Sequence, residues 1–263
     1  MLYSVAVGGS LPSAEMSGVY VKVDRAKAHL KDFDTQSRPI INACRQALTR
    51  VYDEEQSEYV IRLDPVPEVP TVLSAIIGDA IHNLRVSLDH LAWQLVIAAE
   101  ETPNRNTEFP MRKVQPGPDD FGLSLPNIKP GIPEGMRRVL DEVQPYKREK
   151  PTNHDLLTLH NLDISDKHHQ LLVAVLGIHN NTIGWWGDLT LTKTNLGPYD
   201  QDSEICRYTS STEDEPKMDF AVRLNDSAAG PWGTMLGAAD LVRRSLTYIE
   251  DEVFPRFTHF FNS

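Results

Sequence analysis

The sequence predicts an α+β protein with a mainly helical core that carries a small antiparallel β insertion. Three observations indicate this class. Apolar residues recur at helical spacing in long segments near residues 24–47, 75–98 and 234–253. Between residues 171 and 225, short alternating or β-branched runs are separated by Gly, Asn and Asp, as in antiparallel strands. Between these parts, residues 101–151 hold nine of the 18 prolines, which predicts an irregular segment.

The first elements are predicted from caps, prolines and apolar spacing. Residues 19–23 are expected to be extended, and Asp24 can cap a helix that runs to about Ala47. Pro39 is expected to kink or divide that helix. Residues 58–63 alternate as a strand should, and the prolines of residues 64–70 then favour a stiff extended link before the long helix.

The elements from residue 134 onward are predicted from the same signals. One short helix is predicted near residues 134–143, and another begins with Thr152 or Asn153 as its cap. The predicted strands are residues 171–176, 189–194, 205–209 and 220–224. The last helix begins near Thr234 and extends to residue 253 or 261. We predict one domain, residues 1–263, whose helical core comprises residues 20–100, 152–172 and 234–261.

The composition is that of a globular protein. The 263 residues are 40% apolar and 24% charged, enough to bury a substantial core. Acidic residues outnumber basic ones by 37 to 26, which gives a net charge of -11. No local block of Lys and Arg offsets this charge, so broad electrostatic binding to nucleic acid is not expected.

The compartment is predicted from the cysteines and from hydropathy. Cys44 and Cys206 lie far apart without a CxxC partner, so neither a disulfide framework nor a thiolate zinc site is indicated. No segment approaches the ~20 consecutive apolar residues that a membrane-spanning helix needs. We therefore expect a soluble, cytoplasmic protein that has no membrane partner.

The helix predicted at residues 75–98 carries the strongest functional signal. Its apolar side is a stripe of Ile77, Ile81, Leu84, Leu88, Leu91 and Leu95. Its polar side holds two lines of side chains. The first line is His82, Arg85 and Asp89, and the second is Asp79, Asn83 and His90. Each line places a carboxylate beside a histidine, which can orient an imidazole tautomer or prepare a metal ligand. The alternative is a buried polar network with a structural role.

A second titratable cluster lies on the helix that begins near residue 152. Five of the nine histidines fall in or just after it, interleaved with Asp155, Asp163 and Asp166; they are His154, His160, His168, His169 and His179. The predicted binding or network residues among these and their neighbours are His160, Asp163, Asp166, Lys167 and His168. His160, Asp163 and Lys167 share one helical face, and packing against the first helix would bring two carboxylate–histidine faces together. Helical bundles build divalent-metal sites in this way. No HExxH or Glu-x-x-His signature is present, so a divalent metal is a secondary hypothesis and no other cofactor is predicted.

Residues 77–91 (IGDAIHNLRVSLDHL) and the later Asp166-Lys167-His168-His169 resemble a family of bacterial proteins that is frequent in actinobacteria. That family pairs an IGDxxHNLRxxLDHL helix with a DKHR segment, so this chain departs from it at His169. The resemblance covers most of the chain. Because no activity is assigned to the family, the resemblance implies kinship and no particular chemistry.

Arg85 and His90 also resemble the motif of HEPN-domain ribonucleases, which are helical proteins. That resemblance implies that Arg85 binds a phosphate and that His90 is a general acid or base in metal-independent RNA cleavage. Val86 stands where the motif usually has a polar residue. On an ideal helix Arg85 and His90 point about 140° apart, so a shared site requires a homodimer or a distorted helix.

Two classes of function follow. The first is a HEPN-like ribonuclease or related hydrolase, acting on RNA or a small molecule, with Arg85, His90, His82 and Asp89 as candidate catalytic residues. The second is a non-catalytic binding or interaction protein in which the same polar residues form a structural network. In that case Trp185 and Trp186 would offer a contact surface if they were exposed. A divalent-metal-dependent hydrolase is the third hypothesis.

Overall fold

The protein is described from a computed structural model. The structure describes residues 15–115, 132–168, 172, 174–184, 187–201, 203–212, 214–225, 227–229 and 236–261. Within them the chain is mainly helical with small antiparallel sheets, which confirms the predicted α+β class. No helix in these residues combines the length and the apolar character needed to span a bilayer. Trp185, Trp186 and the predicted helix start at Thr234 lie outside the described residues.

Helix α1 is Ser17–Gln46. The prediction that residues 19–23 are extended was wrong, because Val19 and Val23 are buried one helical turn apart on the same helix. Pro39 neither divides nor ends the helix. It lies on the exposed side, where the carbonyl that loses its N–H partner is within reach of water.

Two short strands and the long helix follow. Strand β1 (Leu48–Asp53), which the sequence analysis did not predict, pairs antiparallel with β2 (Glu58–Leu63). Helix α2 is Thr71–Ala98, so it begins four residues before the predicted start, directly after Pro70. The predicted apolar stripe of α2 is confirmed, since all six of its members are fully buried.

The middle of the chain holds two further helices. Residues 101–115 contain no helix or strand, and α3 is Glu134–Glu142, close to its prediction. Helix α4 is Asp155–His168. Its cap is neither Thr152 nor Asn153, which lie in a preceding 3₁₀ turn, but His154, whose Nδ1 accepts the N–H of Leu156 at 3.2 Å.

The remaining strands form two sheets. They are β3 (Ala174–Gly184), β4 (Leu189–Thr194), β5 (Glu204–Ser210) and β6 (Lys217–Leu224). One sheet has the order β1-β2-β5-β4, and the other joins β3 to β6. The predicted insertion at residues 171–225 is therefore not a sheet of its own, because β5 pairs with β2, for instance Ile61 with Cys206.

The C-terminal helix is nearly continuous. It consists of α5 (Ala238–Tyr248), a π-helical turn (Ile249–Val253) and α6 (Phe254–Phe257). Its buried side includes Leu241, Ile249 and Phe257.

The chain divides into two compact units. Unit 1 comprises Met1–Arg25, Asn83–Leu157 and Leu246–Ser263, and unit 2 comprises Ala26–His82 and Thr158–Ser245. The core of unit 1 includes Leu88, Leu95, Phe109 and Leu140. The core of unit 2 includes Phe33, Leu63, Ile81, Ile205 and Tyr208. The single-domain organisation stays a prediction.

Candidate acid–base site

A histidine–carboxylate pair lies in unit 2. Nδ1 of His82, on α2, is 3.0 Å from Oδ1 of Asp163, on α4. The other oxygen of Asp163 accepts a hydrogen bond from Nζ of Lys167, one turn further along α4, at 2.6 Å. This contact joins α2 to α4, although the two residues are 81 positions apart in the chain.

The two side chains of this pair differ strongly in their exposure to solvent. The side chain of Asp163 is 5% exposed, whereas that of His82 is 44% exposed. A buried carboxylate with two charged or polar partners is held in one orientation. Because an ionised Asp163 can only accept, a neutral His82 must carry its proton on Nδ1, and Nε2 keeps its lone pair.

A second carboxyl group, Asp166, lies on α4 against Gly78 of α2. A Cβ atom on Gly78 would fall 2.8 Å from both carboxyl oxygens, so any larger residue here would displace the Asp166 side chain from this position. Burial raises the pKa of Asp166, and the carboxylates of Asp163 and Asp79 raise it further, against a hydrogen bond from the Leu172 backbone and the nearby His82. Oδ1 of Asp166 is buried and has no hydrogen-bond partner among the described residues.

Arg85 occupies a different environment, in unit 1. Its side chain is only 4% exposed. Nη1 forms an ion pair with Oδ1 of Asp89 at 2.7 Å, and Nη2 donates to the carbonyl of Phe109 at 3.1 Å. The same Asp89 oxygen accepts the N–H of Phe109 at 2.9 Å. Arg85 and Asp89 together therefore bind both main-chain groups of Phe109.

The other residues predicted on the polar side of α2 are not gathered with Arg85. His90 is exposed, and its Nδ1 lies 3.4 Å from the position that a Cβ on Gly18 would take. In the part of the chain described, Arg85 is bonded to Asp89 and Phe109 and not to His90. Asn83 is half-buried and Asp79 is exposed, and each has polar interactions.

Two further residues of α4, His160 and His168, were predicted to belong to the site. His160 is half-buried and has an interaction within the protein. His168 is the last residue of α4, and its side chain lies outside the described residues.

The described residues also bear on metal binding and on thiol chemistry. No three His, Cys, Asp or Glu side chains among them are arranged to hold a metal ion. Both cysteines are buried, and burial raises the pKa of the Cys44 thiol to about 11 and that of Cys206 to about 12. Such thiols are protonated near neutral pH and are poor nucleophiles.

A second histidine–carboxylate pair, which no sequence pattern had indicated, also lies in unit 2. Nε2 of His179, on β3, lies 2.8 Å from Oδ2 of Asp240, on α5. Arg243 bonds both Asp240 and Asp34. No local spacing could reveal this group, since its members come from α1, β3 and α5.

No family model matches the sequence, and neither a curated protein nor a solved structure was found to be similar to it.

Proposed function

We propose that the protein is a hydrolase in which the imidazole of His82 is the general base. The main support is the contact between Nδ1 of His82 and the buried carboxylate of Asp163. In this contact a fixed carboxylate orients an imidazole that is half-exposed to solvent. Nε2 has no hydrogen-bond partner among the described residues, so it is available to a water molecule.

The reaction requires one proton transfer to the chain and one from it. Nε2 of His82 takes a proton from water while the water oxygen attacks an acyl carbon. The imidazolium then returns this proton to the departing oxygen or nitrogen, so His82 ends neutral. Asp163 stabilises the imidazolium and is a positioning residue. Lys167 offsets the charge of Asp163 when His82 is neutral.

The charge around His82 favours an uncharged substrate. Three carboxyl groups, Asp79, Asp163 and Asp166, act near one ammonium group, Lys167. This excess of carboxylates would repel the negative charge of a phosphodiester, whereas it would not repel an uncharged carboxylic ester or amide. We therefore propose an acyl substrate and not RNA.

The geometry of Arg85 favours a structural role for that residue. Its guanidinium is buried, forms an ion pair with Asp89 and donates a hydrogen bond to the Phe109 carbonyl, so a phosphate could reach it only by displacing these contacts. The ribonuclease hypothesis built on Arg85 and His90 therefore requires a rearrangement, or a second copy of the chain, that the hydrolase proposal does not.

Hydrolysis of p-nitrophenyl esters of increasing acyl length, with RNA degradation assayed in parallel, tests the proposal. We expect His82→Gln to lower kcat by about 100-fold or more. The matched control is His29→Gln on α1, which removes another half-buried histidine and should leave turnover unchanged.

Three outcomes would overturn the proposal. One is wild-type ester turnover no faster than that of free imidazole at the same concentration. Another is full activity in His82→Gln. The third is RNA cleavage that is lost in His90→Ala but kept in His82→Gln, which would support the ribonuclease hypothesis. Loss of ester turnover in EDTA would instead favour a divalent-metal-dependent hydrolase.

A further inference from the structure

A cavity of about 180 Å³ lies beside the His179–Asp240 pair in unit 2. Its lining combines an apolar side and a polar side. The principal residues are Phe33, Phe220, Asp34, His179, Asp240 and Arg243. Phe33 and Phe220 are almost fully buried, so they form a fixed apolar wall.

The polar side of the cavity is a chain of charged groups. Arg243 donates through Nη1 to Oδ1 of Asp240 at 2.9 Å and through Nη2 to Oδ2 of Asp34. Oδ2 of Asp240 faces Nε2 of His179 at 2.8 Å. Burial lowers the pKa of Arg243, but the hydrogen bonds and charges of Asp34 and Asp240 outweigh it and raise that pKa overall. The guanidinium is therefore permanently charged.

The hydrogen-bond inventory leaves acceptors unused. Each Nη group of Arg243 donates one of its two hydrogens to a carboxylate, the remaining N–H groups of this 40% exposed side chain have no partner among the described residues, and the hydroxyl of Ser37 donates to the main-chain carbonyl of Asp34 at 3.4 Å. Within the described part of the chain, the carboxylate of Asp34 is bonded only to Arg243 and the ring of His179 only to Asp240. Oδ1 of Asp34 and, in the neutral ring, Nδ1 of His179 thus remain as acceptors.

The net charge of the cavity lining also favours a ligand that donates hydrogen bonds. With His179 neutral, Asp34 and Asp240 carry two negative charges against the single positive charge of Arg243. A ligand that donates hydrogen bonds and carries a positive charge satisfies the unused acceptors and removes the excess charge. The apolar wall suits a flat ring attached to that cation.

We propose that this cavity binds a small organic cation with a flat apolar body, such as an aromatic amine or amidine. The cation lies against Asp34 and His179, and the ring lies against Phe33 and Phe220. A second cavity of about 660 Å³, lined by His179, Lys217 and Met218 among others, adjoins the same histidine and gives room for a longer ligand.

Benzamidine and benzoate are suitable probes because they share a ring and differ in the sign of their charge. Each is titrated into the ¹⁵N-labelled full chain, and amide shifts are followed by NMR. We expect benzamidine to bind with a millimolar Kd and to shift amides near Phe33, His179 and Asp240. Benzoate should leave these amides unshifted.

Asp34→Asn should weaken benzamidine binding about tenfold, the cost of one charge-assisted hydrogen bond. The matched control is Asp32→Asn on the same helix, since Asp32 is exposed and bonds Gln36 within α1. That variant makes the same charge change and should bind like wild type.

The wild-type titration decides the proposal even if Asp34→Asn fails to fold. Benzoate binding as tight as benzamidine binding would overturn it, as would benzamidine shifts elsewhere only. An absence of saturable shifts at about 20 mM benzamidine would also overturn it. With folded variants, equal affinity of Asp34→Asn and wild type overturns it.

Discussion

His82 and Asp163 meet at 3.0 Å across two helices, with the carboxylate buried and the imidazole half-exposed. This contact orients the ring through Nδ1 and leaves Nε2 toward solvent. The arrangement suits a general base.

The tautomer of His82 can be measured directly. Long-range ¹H–¹⁵N NMR above the titration range of imidazole should show the Nδ1–H tautomer in the wild type. Asp163→Asn should remove this preference, because an amide can donate as well as accept. His29, which has no such carboxylate contact among those described, provides the comparison. A wild-type His82 that populates both tautomers equally would contradict the assignment.

Gly78→Ala should destabilise the protein by about 1–3 kcal/mol, although alanine favours helix by ~1 kcal/mol, because its Cβ would overlap the Asp166 carboxyl group. Gly135→Ala is the matched control in helix α3. Apart from its own helix and chain neighbours, no atom of the described residues lies within 4 Å of the Cβ position there, and the substitution should stabilise by about 0.5 kcal/mol. Urea unfolding measures both, and similar effects of the same sign would contradict the packing argument.

Arg85→Ala should cost about 3 kcal/mol of unfolding free energy, because it removes a buried guanidinium from its ion pair with the partly exposed Asp89 and leaves the Phe109 carbonyl without its donor. Arg138→Ala is the control. Arg138 is 77% exposed and lies 3.9 Å from Glu142, so its loss should cost less than about 0.5 kcal/mol. If Arg85→Ala proves as stable as Arg138→Ala, the structural role of Arg85 is wrong.

His154 should make stability depend on pH. Burial, aided by the charge of Arg148, lowers the pKa of His154 from 6.5 to about 4. The unfolded chain therefore binds this proton near pH 6.5, before the folded chain does. The contribution is complete above pH 6.5 and is lost as the pH falls through about 4, with a slope of at most about 1.4 kcal/mol per pH unit.

His154→Asn isolates this contribution, because an asparagine can still cap α4 by accepting the N–H of Leu156. Urea unfolding between pH 7 and pH 4 should show a shallower loss of stability in the variant than in the wild type. Parallel pH profiles for the two proteins would exclude His154 as the source.

Features that depend on local spacing could be predicted from the amino-acid sequence alone. The apolar stripe of α2, strand β2 and helix α3 all follow from periodicities of a few residues, and the structure has them near the predicted positions. The face shared by Asp163 and Lys167 was equally predictable, since four residues make one helical turn.

Contacts between residues far apart in the sequence depend instead on tertiary packing. Local spacing placed Arg85 on a polar face, but packing buried it under Phe109 and left His90 exposed. The same holds for the pairing of β5 with β2 and for the contact of His179 with Asp240, which lie 61 residues apart. These contacts depend on how whole helices and strands pack, and a window of a few residues contains no record of that packing.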